Sequence, residues 1–178
     1  VVTHLGEPFP TGVASARVAH VADSYDTWAV VVLRGEDGWQ VAQLPPGIAE
    51  DLDAVESAVR GQGAGAFALV DVADEFFVVL RVVAGEVALL LSDAGAALDW
   101  ELATQVMERL DLDLPSDEES LDLHPAGELA LFTDLGLDAM ELSAILDDED
   151  AYADEVLSSL ALRLGFADAY EQAVGALV

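Results

Sequence analysis

Three consecutive strand-like runs in the middle of the chain constrain the fold more than any other feature. The runs 65–72 (GAFALVDV), 76–83 (FFVVLRVV) and 87–91 (VALLL) are rich in the β-branched and aromatic residues that favour strands. Only three residues separate each run from the next. Connections this short join antiparallel neighbours, because a parallel crossover needs a dozen or more residues. Residues 65–91 are therefore predicted to form an antiparallel meander.

An earlier hairpin and two helices extend this meander. Residues 25–34 predict a strand, Asp37-Gly38 predicts a tight turn, and residues 39–44 predict the return strand. Apolar residues recur at helical spacing in 49–60 and in 99–110. The prediction is an α+β fold with an antiparallel sheet of about five strands, in the order ββαβββα, and with helices on one face.

The last third of the chain is predicted to be helical. Glycines and an acidic stretch divide it into short amphipathic segments, which we expect to form a small C-terminal helical bundle. The predicted helices cover 127–134, 138–146, 151–163 and 167–177. The predicted organisation is a loosely ordered leader (1–23), a sheet domain (24–110), an acidic linker (111–124) and a helical subdomain (125–178).

The chain combines a large negative charge with a high apolar content. Six Lys+Arg face 35 Asp+Glu, which gives a net charge of −29, and 53% of the residues are hydrophobic. That apolar fraction indicates a folded core rather than an acidic disordered chain. The charge argues against direct nucleic-acid binding and against attachment to anionic membranes, since both need clustered cations. The absence of cysteine excludes disulfides, thiolate nucleophiles and zinc–thiolate sites.

Targeting signals are also missing from the sequence. No apolar run approaches the roughly 20 residues of a membrane-spanning helix, and the chain does not open on the basic-then-apolar pattern of a signal peptide. Arginine is used to the exclusion of lysine, alongside abundant Ala, Val, Gly and Asp. We therefore expect a cytoplasmic bacterial protein.

No catalytic or cofactor motif stands out. His4, His20 and His124 are too far apart to match a metal-ligand spacing. The glycine run 61–65 follows a helix and precedes a strand, which is the wrong order for a dinucleotide fingerprint. Asp93 and Asp99 are interpreted as turn or helix-capping residues. We therefore expect no enzymatic activity, no cofactor and no metal.

Acidic residues are densest after residue 110. A solvated face is one interpretation of such a run. The other is a surface for a strongly basic protein partner, because opposite potentials accelerate association. The first candidates for that surface are Asp147, Asp148, Glu149, Asp150, Asp154 and Glu155, and the linker acids Asp117, Glu118 and Glu119 come second.

Several segments of the chain resemble a known family. They are 89–94 (LLLSDA), 125–137 (PAGELALFTDLGL), 140–148 (MELSAILDD) and 160–166 (LALRLGF). Together they resemble the actinobacterial tRNA adenosine deaminase-associated protein family, over roughly residues 25–175. The resemblance implies a partner or a genetic neighbour of a tRNA adenosine deaminase and supplies no active site. The chain itself lacks the deaminase motifs, whose zinc ligands include cysteines.

Three classes of function remain open at this point. The first is a non-catalytic acidic interaction or regulatory protein, with a tRNA adenosine deaminase or another basic RNA-binding protein as its partner. The second is an α+β domain that binds a small ligand or acts as an enzyme, which would need a pocket with convergent polar groups. The third is a self-associating structural module, which would need a large exposed apolar patch.

Overall fold

A six-stranded antiparallel sheet organises the described part of the chain. The computed structural model describes residues 27–116, 124–148 and 150–176, so the predicted leader and half of the predicted linker lie outside it. The strand order is β2-β1-β3-β4-β5-β6. The strands are β1 (Thr27–Gly35), β2 (Gly38–Gln43), β3 (Phe67–Val72), β4 (Phe76–Val83), β5 (Glu86–Leu91) and β6 (Ala126–Gly127).

Within the described ranges, five α-helices accompany the sheet. They are α1 (Leu52–Gln62), α2 (Glu101–Arg109), α3 (Ala139–Leu146), α4 (Ala153–Leu164) and α5 (Ala167–Val174). Short 3-10 helices cover Ile48–Glu50, Ala94–Leu98 and Thr133–Leu135. The predicted α+β class, its antiparallel sheet and its C-terminal helices are confirmed.

One predicted helix, over residues 127–134, is wrong. Ala126 and Gly127 instead pair with Leu91 and Leu90 as the short strand β6. Gly127 has a φ of 110°, and a β-carbon there would overlap the carbonyl group of Leu89. The close backbone approach therefore requires glycine, and it takes the chain out of helical geometry. After this strand only the 3-10 turn Thr133–Leu135 forms.

Both faces of the sheet are buried. Successive strand residues point to opposite faces, so each strand contributes to two separate clusters. Val31, Val70 and Leu80 belong to the cluster that α1 and α2 cover. Val32, Leu69 and Val79 belong to the other cluster, which includes residues of α3, α4 and α5. Burial on both faces explains why β3 and most of β4 are continuous apolar runs rather than alternating ones.

A buried arginine connects the sheet to the segment that precedes α3. Arg81 on β4 is 3% exposed, and its guanidinium donates to both carboxylate oxygens of Asp134 at 2.6 and 2.7 Å. It also donates to the carbonyl oxygen of Leu131 and lies 5.8 Å from the centre of the Phe132 ring. Its hydrogen bonds lower the pKa of the Asp134 carboxyl below its usual value. Arg81 therefore fixes where residues 131–134 cross the sheet.

Removal of the Asp134 carboxylate should destabilise the fold, because it leaves the Arg81 charge buried without its partner. Asp134→Asn should lower the free energy of unfolding by about 2 kcal/mol at pH 7, since half of the ion pair is solvated. Glu171→Gln removes one exposed carboxylate from α5 and serves as the matched control. Urea unfolding measures both variants. Because the folded pKa of Asp134 is depressed, the difference should shrink as the pH falls below 4. Equal unfolding midpoints at pH 7 would contradict this role.

Candidate functional site

The structure places part of the predicted acidic surface on the loop between α3 and α4. Asp147 follows the last residue of α3, while Asp154 and Glu155 lie in the first turn of α4. The partial positive charge of a helix N-terminus favours acidic residues such as Asp154 and Glu155 in the first turn of α4. The Glu155 carboxylate also accepts a hydrogen bond from the Tyr152 amide at 3.1 Å. Glu149 and the linker acids Asp117, Glu118 and Glu119 lie outside the described residues.

A groove of about 260 Å³ brings three of the predicted acids together. Ile145, Ala151 and Val156 contribute its apolar lining. The acids that line it are Asp148, Asp150 and Glu155. A groove with apolar and carboxylate groups side by side suits a lysine or arginine side chain, whose stem is apolar and whose head is cationic.

Two neighbouring clefts continue the acidic lining around the end of the sheet. The next cleft shares Asp148 with the groove and reaches Glu75 and Asp93. The third cleft shares Glu75 and Asp93 and reaches Asp99. Because they share lining residues, the three clefts lie next to one another. We call this surface the acidic band, and it consists of Glu75, Asp93, Asp99, Asp148, Asp150 and Glu155.

Sequence reasoning missed half of the acidic band. Glu75 follows the tight turn between β3 and β4, and Asp93 follows β5. The antiparallel pairing of Val78 with Leu91 brings these two positions to the same end of the sheet. The capping interpretation of Asp93 is confirmed, since its carboxylate accepts a hydrogen bond from the Gly95 amide at 2.8 Å. Only the predicted meander could have indicated that the two acids are neighbours.

Two large apolar side chains lie exposed beside these acids. Tyr152, in the loop before α4, is 65% exposed and stands between Asp150 and Asp154 in the chain. Leu98 is 40% exposed and lines the third cleft. Aromatic side chains surrounded by polar groups are frequent anchors of protein interfaces.

The arginines that the structure describes lie away from this surface. None of them lines any of the three clefts. Each arginine within the described ranges is instead engaged by another part of the chain, four of them by carboxylates and one by an aromatic ring. The pairs are Arg60 with Glu56, Arg81 with Asp134, Arg109 with Asp53 and Glu56, Arg163 with Glu141, and Arg34 with the Trp39 ring.

A buried carboxyl group lies behind the α4 end of this surface. Asp71 on β3 is 1% exposed, and its Oδ1 accepts a hydrogen bond from the Asp74 amide at 2.9 Å. Its Oδ2 is buried with no hydrogen-bond partner among the described residues. Burial raises the pKa of Asp71 to about 7, and the charges of Asp74 and Asp154 act in the same direction. Asp71 therefore titrates near neutral pH.

Asp74, Asp154 and Tyr170 lie near the buried carboxyl group of Asp71. The Asp74 carboxylate accepts a hydrogen bond from the Asp154 amide at 3.0 Å. The pKa of Asp154 is raised by partial burial and by the charge of Asp74. Tyr170 on α5 has a raised pKa because of burial and of the charges of Asp71 and Asp154. Its hydroxyl has no hydrogen bond of normal geometry within the described ranges, although the Ser158 side chain lies close enough to lower its pKa.

Among the residues that the structure describes, no three His, Asp or Glu side chains are grouped so that they could hold a metal ion. None of the helices in the described ranges is long and apolar enough to cross a membrane.

The fold and the acidic band define a class of protein: an acidic α+β protein with carboxylate-lined clefts at one end of its sheet. Residues 27–167 match the family model described as Rv3753c-like tRNA adenosine deaminase-associated protein. The chain is also 43% identical over 150 residues to Protein Rv3753c of Mycobacterium tuberculosis, across 83% of this chain and 87% of that protein. The chain belongs to the Rv3753c-like tRNA adenosine deaminase-associated protein family. The resemblance found in the sequence is thereby confirmed, and no solved structure matches the chain.

Substitution of Asp71 should change how stability depends on pH. The folded pKa of about 7 lies above the ordinary value of 3.8, so the stability linked to this group is full below pH 3.8 and is lost as the pH rises through 7. Asp71→Asn keeps an oxygen for the Asp74 amide and cannot ionise. Relative to the wild type, this variant should gain about 2 kcal/mol of unfolding free energy between pH 5 and pH 8.

Urea unfolding at both pH values measures the gain. Glu171→Gln, which removes an exposed charge, should track the wild type at each pH. A constant difference between Asp71→Asn and the wild type at pH 5 and pH 8 would show that Asp71 does not titrate in this range.

Proposed function

We propose that this chain is a non-catalytic interaction protein that binds a tRNA adenosine deaminase through the acidic band. The family description, tRNA adenosine deaminase-associated protein, supports the choice of partner. An enzyme that binds tRNA presents cationic side chains to the phosphate backbone. A protein with a net charge of −29 is suited to such a surface and unsuited to the RNA itself. The proposal also assigns the protein to the cytoplasm, where it would meet the deaminase.

The acidic band is the observation that carries this proposal. It spans three adjacent clefts, and none of the described arginines lines them. It includes acids from the β3–β4 turn, from the end of β5 and from α4, so a partner would contact elements on both faces of the sheet. An anionic surface of this kind accelerates encounter with a cationic partner and favours one orientation of the complex. Tyr152 and Leu98 supply apolar contact beside the charges.

The placement of Asp71 favours binding over catalysis by this group. An acid or base that acts on a substrate must reach it within hydrogen-bond distance. Asp71 has a shifted pKa but is 1% exposed, and it lines none of the clefts described above. In the proposed role, the protein acts on the deaminase as a regulator, a stabiliser or a competitor of tRNA.

Neutralisation of the groove should weaken binding to the deaminase from the same organism. The triple variant Asp148→Asn, Asp150→Asn, Glu155→Gln should lose about tenfold or more in affinity at low salt, because it removes three charges from the contact surface. The matched control is Glu36→Gln, Asp37→Asn, Glu86→Gln, which removes three exposed charges from turns at the opposite end of the sheet. Isothermal titration calorimetry measures both variants.

The control should bind within about twofold of the wild type, and wild-type affinity should fall as salt is raised, since surface charges are screened. Saturating tRNA should compete with the protein for the deaminase. Equal weakening by both triple variants would contradict the location of the surface. No binding of the wild type at low salt would contradict the proposed partner.

A further inference from the structure

The junction between the sheet and the first turn of α4 depends on one residue of the β3–β4 turn. The carbonyl oxygen of Asp74 accepts a hydrogen bond from the Ala153 amide at 3.4 Å, and its carboxylate accepts one from the Asp154 amide at 3.0 Å. Ala73 and Asp74 both adopt left-handed conformations, with φ of 53° and 58°. This strained turn is held from inside by the hydrogen bond from the Asp74 amide to Asp71. Asp71, Asp74 and the first turn of α4 therefore form a single hydrogen-bonded chain.

Two carboxylates face the buried Asp71, namely Asp74 from the turn and Asp154 from α4. The hydroxyl of Tyr170 on α5 is uncharged, because burial and the charges of Asp71 and Asp154 raise its pKa. On the flanking strands the register partners of Asp71 are Trp28 and Phe77, which carry no charge. No described cation is among the groups that act on Asp71. An ionised Asp71 would add a third negative charge to a buried site that already faces two carboxylates.

We propose that protonation of Asp71 controls whether the first turn of α4, and with it the α4 end of the acidic band, is held against the sheet. The neutral acid is compatible with the closed junction, because it removes one charge from the cluster. Loss of the proton to solvent leaves a buried carboxylate that is repelled by Asp74 and Asp154. Opening of the junction relieves this repulsion and hydrates Asp71. The inference rests on the proposed function only in treating the acidic band as the binding surface.

Amide hydrogen exchange of the free protein tests the junction without any partner. The Ala153 and Asp154 amides report on it directly, since both donate to Asp74. After correction for intrinsic exchange, their protection should fall about tenfold between pH 6 and pH 8, if Asp71 recovers its ordinary pKa on opening. Asp71→Asn should abolish this dependence, whereas Glu171→Gln should retain it. Wild-type protection that is constant within about twofold would overturn the proposal, as would an unchanged dependence in Asp71→Asn.

A second variant tests the same switch without altering Asp71. Asp74→Asn keeps an oxygen for the Asp154 amide and removes one of the two charges that face Asp71. The midpoint of the pH-dependent exchange should therefore move to lower pH. An unchanged midpoint in a folded Asp74→Asn protein would overturn the proposal.

Calorimetry with the deaminase separates this inference from the proposed function. The affinity of the wild type for the deaminase should fall more between pH 6 and pH 8 than the affinity of Asp71→Asn. Titration of the deaminase itself affects both measurements equally, so the difference between them reports on Asp71. A deaminase that fails to bind at either pH would contradict the proposed function, while the exchange measurement would still test the switch. Binding with the same pH dependence in both proteins would overturn the regulation of the surface.

Discussion

The ion pair between the buried Arg81 and the partly exposed Asp134 determines the arrangement of the C-terminal third. A guanidinium on an otherwise apolar stretch of β4 is costly unless it is paired, and among the described residues the segment 131–134 supplies its hydrogen-bond partners. Leu131 and Phe132 lie in the same buried cluster, and the Phe132 ring packs 5.0 Å from the ring of Phe67. Because α3 begins five residues after Asp134, the ion pair also fixes the starting point of the helices that carry the acidic loop.

Segregation of charge follows from burial on both faces of the sheet. Nearly all positions of β3 and β4 are taken up by the two apolar clusters, so most acids are placed at turns, helix starts and loops. The five described arginines are engaged within the molecule, and none lines the acidic band. The acidic band at one end of the sheet is therefore a property of the fold as well as of the composition. Asp71 is the one acid of the described residues that this segregation leaves in the core.

Local patterns in the sequence were enough to predict most of the fold. The runs 76–83 and 87–91 correspond closely to β4 and β5, because short connections and β-branched residues define them without help from distant contacts. Strand β6 had no such signal, since a two-residue strand has no periodicity and its geometry depends on the approach of Gly127 to Leu89. Packing of the C-terminal helices on the second face was also beyond local patterns, because it depends on partners such as Arg81 and Asp134.

The candidate site was predictable only where it is local in sequence. Asp148, Asp150 and Glu155 belong to one acidic stretch, whereas Glu75, Asp93 and Asp99 join them through strand register. Asp71 carried a weaker signal, as a lone acid within a six-residue apolar strand, and such a local conflict often marks a functional or strained position.

Hydrogen exchange of the protein with and without the tRNA adenosine deaminase locates the surface that the deaminase covers. Binding through the acidic band predicts slower exchange in residues 74–76, 92–99 and 150–156, which carry the band, and little change in the turns 35–38 and 83–86 at the opposite end of the sheet. Slower exchange confined to that opposite end, or no change anywhere at saturating deaminase, would contradict it.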